Sequence, residues 1–121
     1  MALGRLSFRE RWKSFGCAVQ GLAAVLRTQP NTWIMITASI VVAGAGFWFH
    51  VGRFEWAVLI ASMGIVFVAE FLNSALEYVV DLAAPEYHPL AKKAKDAAAA
   101  AVLLAAAVAA VLGAIVFLPR L

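Results

Sequence analysis

Apolar residues dominate three stretches of the chain. Residues 33–49 form an uncharged run that contains Gly44 and Gly46. Residues 56–80 form a second run, interrupted by Glu70, Asn73 and Glu77, and residues 97–118 form a third, uncharged and rich in alanine. A bilayer core of about 30 Å needs roughly 20 apolar residues in a helix. The pattern therefore predicts three transmembrane helices, over about 32–50, 55–81 and 96–118. A helix of another kind precedes them. Phe8, Trp12, Phe15, Val19, Leu22 and Leu26 recur at alternating steps of four and three, which makes one apolar stripe, while Arg9, Lys13 and Gln20 lie off it. Ser7 and Glu10 have capping-box spacing. These signals predict an amphipathic helix over about 7–28, lying in the membrane interface. Gln29-Pro30-Asn31 then breaks the chain and redirects it.

Composition supports a membrane protein. Hydrophobic residues make up 64% of the 121 positions and charged ones 14%, whereas soluble domains carry about 25% charged residues. Intrinsic disorder is excluded on the same ground. The expected fold class is thus an all-α membrane protein of one domain, residues 1–121, with a surface helix and three spans. The net charge of +3 comes from basic residues too few and too scattered for a nucleic-acid footprint. They are distributed by side instead. Arg5, Arg9, Arg11, Lys13 and Arg27 precede the first span, and Lys92, Lys93 and Lys95 lie between the second and third. Arg53 and Arg120 fall on the other side. The positive-inside rule puts the N-terminus and the second loop in the cytoplasm. The single cysteine, Cys17, allows no internal disulfide. Residues 1–13 lack an apolar core followed by a cleavage site, so no cleaved signal peptide is expected.

The second span carries the chemistry. Glu70, Asn73, Ser74, Glu77 and Asp81 fall within an arc of roughly 100° on a helix. Apolar residues 56–69 precede Glu70 and cover roughly 21 Å at about 1.5 Å per residue. Glu70 is then expected several ångströms below the cytoplasmic headgroups, Glu77 near the interface and Asp81 in water. An unpaired charge at Glu70's depth costs at least ~2.5–3.5 kcal/mol. Such residues sometimes only join helices, but several polar groups on one stripe point to a site. A carboxyl within reach of a lipid headgroup is a candidate general base, and Ser74 beside it a candidate contact to the lipid. Three helices cannot enclose a polar face, and the alanines 97–101 and 105–107 let backbones approach closely. Packing between chains is therefore expected.

The following loop adds Pro85, Glu86, Tyr87, His88 and Pro89, then Lys95-Asp96 ahead of the third span. A helix N-terminus with a lysine suits a phosphate, and nearby carboxylates suit a hard cation such as Mg²⁺. His88 by itself reads as a solvated loop residue. Neither a GxxxxGK[ST] loop nor a GxGxxG loop is present, and no Cys/His cluster suggests zinc. Together these features suggest phosphoryl transfer to a lipid.

The stretch ExxNSxLExxxD from Glu70 to Asp81, the loop Pro85-Glu86-Tyr87-His88-Pro89-Leu90-Ala91 and Ala94-Lys95-Asp96 resemble the small bacterial membrane diacylglycerol kinase and undecaprenol kinase family. The resemblance runs over nearly the whole chain. It implies a homotrimer of the bacterial inner membrane with composite sites between subunits, using MgATP at the cytoplasmic face on a membrane lipid alcohol. It implies Glu70 as the general base, Glu77 as the metal ligand beside ATP, and Asn73 ordering the phosphates. Lys95 and Asp96 would contact the nucleotide, and Glu86, Tyr87 and His88 would line its pocket. HPLAKKAKD leans towards the undecaprenol branch. Gln29 departs from the family, which often has a second metal-binding glutamate there. Cys17 stands where an aromatic is common, and Glu10 near an expected basic residue. The alternatives are a degenerate kinase that binds lipid without turnover and a non-catalytic membrane protein such as a small pore. Mg²⁺-dependent ATP consumption separates the first reading from both, and bilayer conductance identifies the pore.

Overall fold

The computed structural model describes residues 7–121. Arg5, counted above with the basic residues before the first span, lies outside them. The described chain is four α-helices in sequence: α1 (Phe8–Thr28), α2 (Pro30–Trp48), α3 (Arg53–Ala83) and α4 (Pro89–Phe117), closed by a 3₁₀ turn at Leu118–Arg120. No strand occurs among the described residues.

Local chemistry explains each boundary. At the start of α1, Ser7 Oγ accepts from the Glu10 N–H at 3.2 Å and Glu10 Oε2 accepts from the Ser7 N–H at 2.9 Å. This is the capping box that the sequence predicts, and it satisfies two otherwise free donors. Gln29 is extended and serves both as C-cap of α1 and N-cap of α2. Pro30 follows at the first position of α2, where its missing N–H costs nothing. The turn between α2 and α3 is a Schellman closure. Val51 N–H donates to Gly46 C=O at 3.1 Å and His50 N–H to Phe47 C=O at 3.3 Å. His50 carries the left-handed backbone, φ 53°, at the position where glycine is usual.

The helices α2, α3 and α4 are long and apolar enough to cross a membrane, with mean hydropathies of 1.3, 1.8 and 2.9. Length distinguishes them. The 19 residues of α2 span about 28 Å, matching a bilayer core. The 31 residues of α3 and the 29 of α4 span about 46 and 43 Å. Both overrun a 30 Å core, by about three turns and about two and a half turns, respectively. The apolar run of the third span starts near residue 96, but the helix starts at Pro89, so its first two turns are polar. The end of α3 and the beginning of α4 thus rise together as one platform.

The most extensive packing is α3 against α4; α2 meets α3, and α1 meets α2, over smaller areas. Little is buried. Among the described residues the buried apolar side chains are Val25, Val51, Leu59, Val80, Ala105 and Val116. Val51, Leu59 and Val116 form a compact cluster with Phe49, Trp56 and Phe117 around it. It sits at the end remote from the platform. Glu55 and Arg120 close the same end through two contacts of 2.6 Å, Nη1 to Oε2 and Nη2 to Oε1. The two stand 65 residues apart, so no local sequence pattern links them. On α1 the apolar stripe stays open, with Phe8 77%, Trp12 60% and Phe15 62% exposed and stacked edge to face. Its neighbour Val25, off the stripe, is the residue that packs inward.

Candidate active site

The polar stripe of α3 is graded in exposure. Glu70 and Ser74 are buried, 3% and 1% exposed. Asn73 and Glu77 are half-buried and Asp81 is exposed. The side of α3 on which Glu70 lies is covered by the protein's own helices. Along the stripe, Asn73 Nδ2 donates to Glu77 Oε1 at 3.4 Å. Two buried oxygens lack a partner among the described residues, Asn73 Oδ1 and Ser74 Oγ. A buried hydroxyl without a hydrogen bond costs about 1–3 kcal/mol. Ser74 Oγ, one turn from Glu70, is therefore an acceptor and donor held in reserve. Thr32, at the start of α2, is fully buried with the same unpartnered Oγ1. Nothing in the sequence around Thr32, at the edge of the first apolar run, marks it as buried.

At the platform the chain forms a pocket of about 320 Å³ between α3, the connecting loop and α4. Glu86, Tyr87, His88, Lys95 and Asp96 all line it, so the structure brings these five sequence candidates together. Glu70, Asn73, Ser74 and Glu77 do not line it; they run away from it down α3. Glu70 lies roughly 16 Å from Asp81 along the helix.

Several features hold the pocket in shape. Pro89 starts α4, and His88 caps it, its Nδ1 accepting from the Leu90 N–H at 3.1 Å. His88 is thus a structural cap whose Nε2 edge remains for other work, and not simply a solvated loop residue. Lys95 Nζ donates to Asp81 Oδ1 at 2.5 Å, tying α4 to α3. Lys92 Nζ donates to Asp96 Oδ2 at 2.6 Å along α4. Asp81 and Lys92 both line the pocket. The sequence placed Asp81 on the stripe without a task and treated Lys92 as a topology signal, and helical spacing alone gives no view of a pairing across the loop.

Among the described residues, no three His, Cys, Asp or Glu side chains converge to cage a metal. Mg²⁺ does not require such a cage. It binds through one or two carboxylates, with waters and substrate phosphates completing its shell. Glu77, half-buried and braced by Asn73, offers one such carboxylate. The donor set therefore fits Mg²⁺ as a partner of phosphates.

Three membrane-length helices, a polar stripe with a buried Glu70 and a pocket lined by charges of both signs at one end define a small helical membrane protein with a charged site. Residues 16–117 match the family model of prokaryotic diacylglycerol kinase. The undecaprenol kinase of Bacillus subtilis is 39% identical over 110 residues, covering 91% of this chain and 89% of that protein. The diacylglycerol kinase of Escherichia coli K12 is 34% identical over 114 residues, 92% of this chain and 91% of that one. The diacylglycerol kinase of Synechocystis is 42% identical over 109 residues, 89% of this chain and 62% of that protein. The chain belongs to the prokaryotic diacylglycerol kinase family. It is a membrane lipid kinase, with ATP as the co-substrate that this activity implies.

Proposed function

We propose that this kinase works as a homotrimer in the bacterial inner membrane, its pocket facing the cytoplasm, and uses MgATP to phosphorylate a lipid alcohol. Undecaprenol is the preferred acceptor and diacylglycerol the second. The observation that carries the reading is the convergence of Glu86, Tyr87, His88, Lys95 and Asp96 in one pocket at the head of the α3 carboxylate stripe. The acceptor preference rests on the HPLAKKAKD stretch and on likeness to an undecaprenol kinase over 91% of the chain.

In this reading the nucleotide occupies the pocket, with Lys95 on its phosphates and Asp96 and the Glu86–His88 loop around the remainder. Glu77 would hold Mg²⁺, and Asn73 would orient that carboxylate. The ion supplies charge neutralisation on the phosphate chain. The lipid hydroxyl is received at Glu70, with Ser74 Oγ as its hydrogen-bond partner. Glu70 takes the hydroxyl proton as the lipid oxygen attacks the γ-phosphorus in line and ADP departs. Positioning and electrostatics provide most of the acceleration in such transfers.

The trimer is supported by an apolar groove of about 1120 Å³ along α3 and α4, lined by Ala61, Gly64, Ala98, Ala101 and Ala105, with Asn73 at its polar end. Small residues of this kind let a neighbouring helix approach closely. A second copy seated there would complete the stretch between Glu70 and the pocket.

Phosphate transfer from labelled ATP to undecaprenol and to diacylglycerol, with and without Mg²⁺, tests the proposal on protein purified in micelles. We expect Mg²⁺-dependent transfer that favours undecaprenol, and a loss of about 10²–10⁴ in kcat for Glu70→Gln. Full activity of that variant, or no transfer to either lipid by a well-folded oligomer, would overturn it.

A further inference from the structure

The bond from Lys95 to Asp81 joins residues 14 apart in sequence, one near the end of α3 and the other early in α4. It closes the pocket across the loop that carries Glu86, Tyr87 and His88. Each lysine here has its own carboxylate: Asp96 is taken by Lys92, and Asp81 by Lys95. Asp81 has no role in the transfer described above, yet it is the side chain that fixes where the Lys95 charge stands.

We propose that Asp81 is a positioning residue, which holds the Lys95 ammonium over the pocket in the orientation that receives the nucleotide's phosphates. The inference rests on the nucleotide reading of this pocket. A lysine is a point charge on a flexible four-carbon stem, with three donors. Held by one of them to Asp81, it keeps two for incoming phosphate oxygens, and little of its rotamer freedom is left to lose on binding. A carboxylate meets phosphate only through a cation, and the cation that Asp81 holds is the Lys95 ammonium. The pair is substantially exposed, 42% for the Lys95 side chain and 63% for Asp81, which limits its strength to that of surface ion pairs.

The test compares the intact protein, Asp81→Asn, Lys95→Met and the double variant in micelles. MgADP binding is read by calorimetry and transfer by steady-state kinetics. Asp81→Asn is expected to weaken MgADP binding and raise the KM for MgATP by about fivefold, with kcat within about twofold. Asp81→Glu should recover most of that loss. In the Lys95→Met background Asp81→Asn should add nothing, because the group it positions is gone. Equal losses in both backgrounds would overturn the proposal, as would an unchanged KM or a loss confined to kcat. Should Lys95→Met leave MgADP binding intact, the nucleotide reading itself falls and takes this role with it. Asp81→Ser is the second variant if the asparagine protein does not fold, with helix content and elution volume read for each.

Discussion

Gly46 of α2 and Trp56 of α3 share one space: a Cβ on the glycine would stand 2.6 Å from Cη2 of the indole. The ring also packs against Phe47, with centroids 4.8 Å apart, and it borders the Val51–Leu59–Val116 cluster. The short turn between α2 and α3 depends on this contact, since the two helices can close only if one of them has no side chain there. Gly46→Ala is therefore expected to destabilise the fold by about 1–3 kcal/mol. Thermal unfolding in micelles measures it. Trp56→Leu should be less damaging in the alanine background than in the native one.

Glu55 and Arg120 make a two-point ion pair that pins the chain's last turn to the first turn of α3. Both side chains are about two-thirds covered, and Arg120 also donates to the Val116 carbonyl at 2.8 Å. A double-mutant cycle with Glu55→Gln and Arg120→Gln should return a coupling of about 1 kcal/mol. The pair is remote from the pocket, so the KM for ATP should stay unchanged.

His88 combines two tasks that substitution separates. Its Nδ1 caps α4, and its ring lines the pocket. His88→Ala should lose about 1 kcal/mol of stability and weaken nucleotide binding as well. His88→Asn should restore the cap without restoring the ring. Unfolding temperature and MgADP affinity then part company, the first recovering and the second remaining low.

Gln29 joins α1 to α2, at the position where the family often carries a carboxylate. Ligand charge is a main determinant of affinity for hard cations. Gln29→Glu should lower the Mg²⁺ concentration for half-maximal transfer by about three- to tenfold, with Mg²⁺ titration of activity as the measurement. An unchanged midpoint would show that Glu77 and the phosphates hold the ion unaided.

Much of the architecture was legible because membrane helices leave strong periodic signals. The apolar runs, the capping box at Ser7 and Glu10, and the break at Gln29-Pro30 all appear as helices and boundaries. The α3 stripe was also legible, since a period of 3.6 residues brings Glu70, Asn73, Ser74, Glu77 and Asp81 to one side of a helix. What escaped was whatever depends on one helix facing another. The Asp81–Lys95 and Glu55–Arg120 pairs join residues 14 and 65 apart, and no local pattern marks them. Thr32 escaped for a related reason, as its burial comes from neighbours and not from its own apolar run. The early start of α4 was hidden because Lys92, Lys93 and Lys95 end the apolar pattern while leaving the helix unbroken.

The sparse interior described above bears on what stability can mean for this protein. With six buried apolar side chains among the described residues, a single chain cannot bring together enough dry contact to hold itself closed. The remainder is contributed by whatever surrounds it. A melting temperature measured on it is then a joint property of the chain and its solvent, as it is for any protein stabilised by mass action. Changing the detergent or the acyl length of the lipid amounts to changing part of the core.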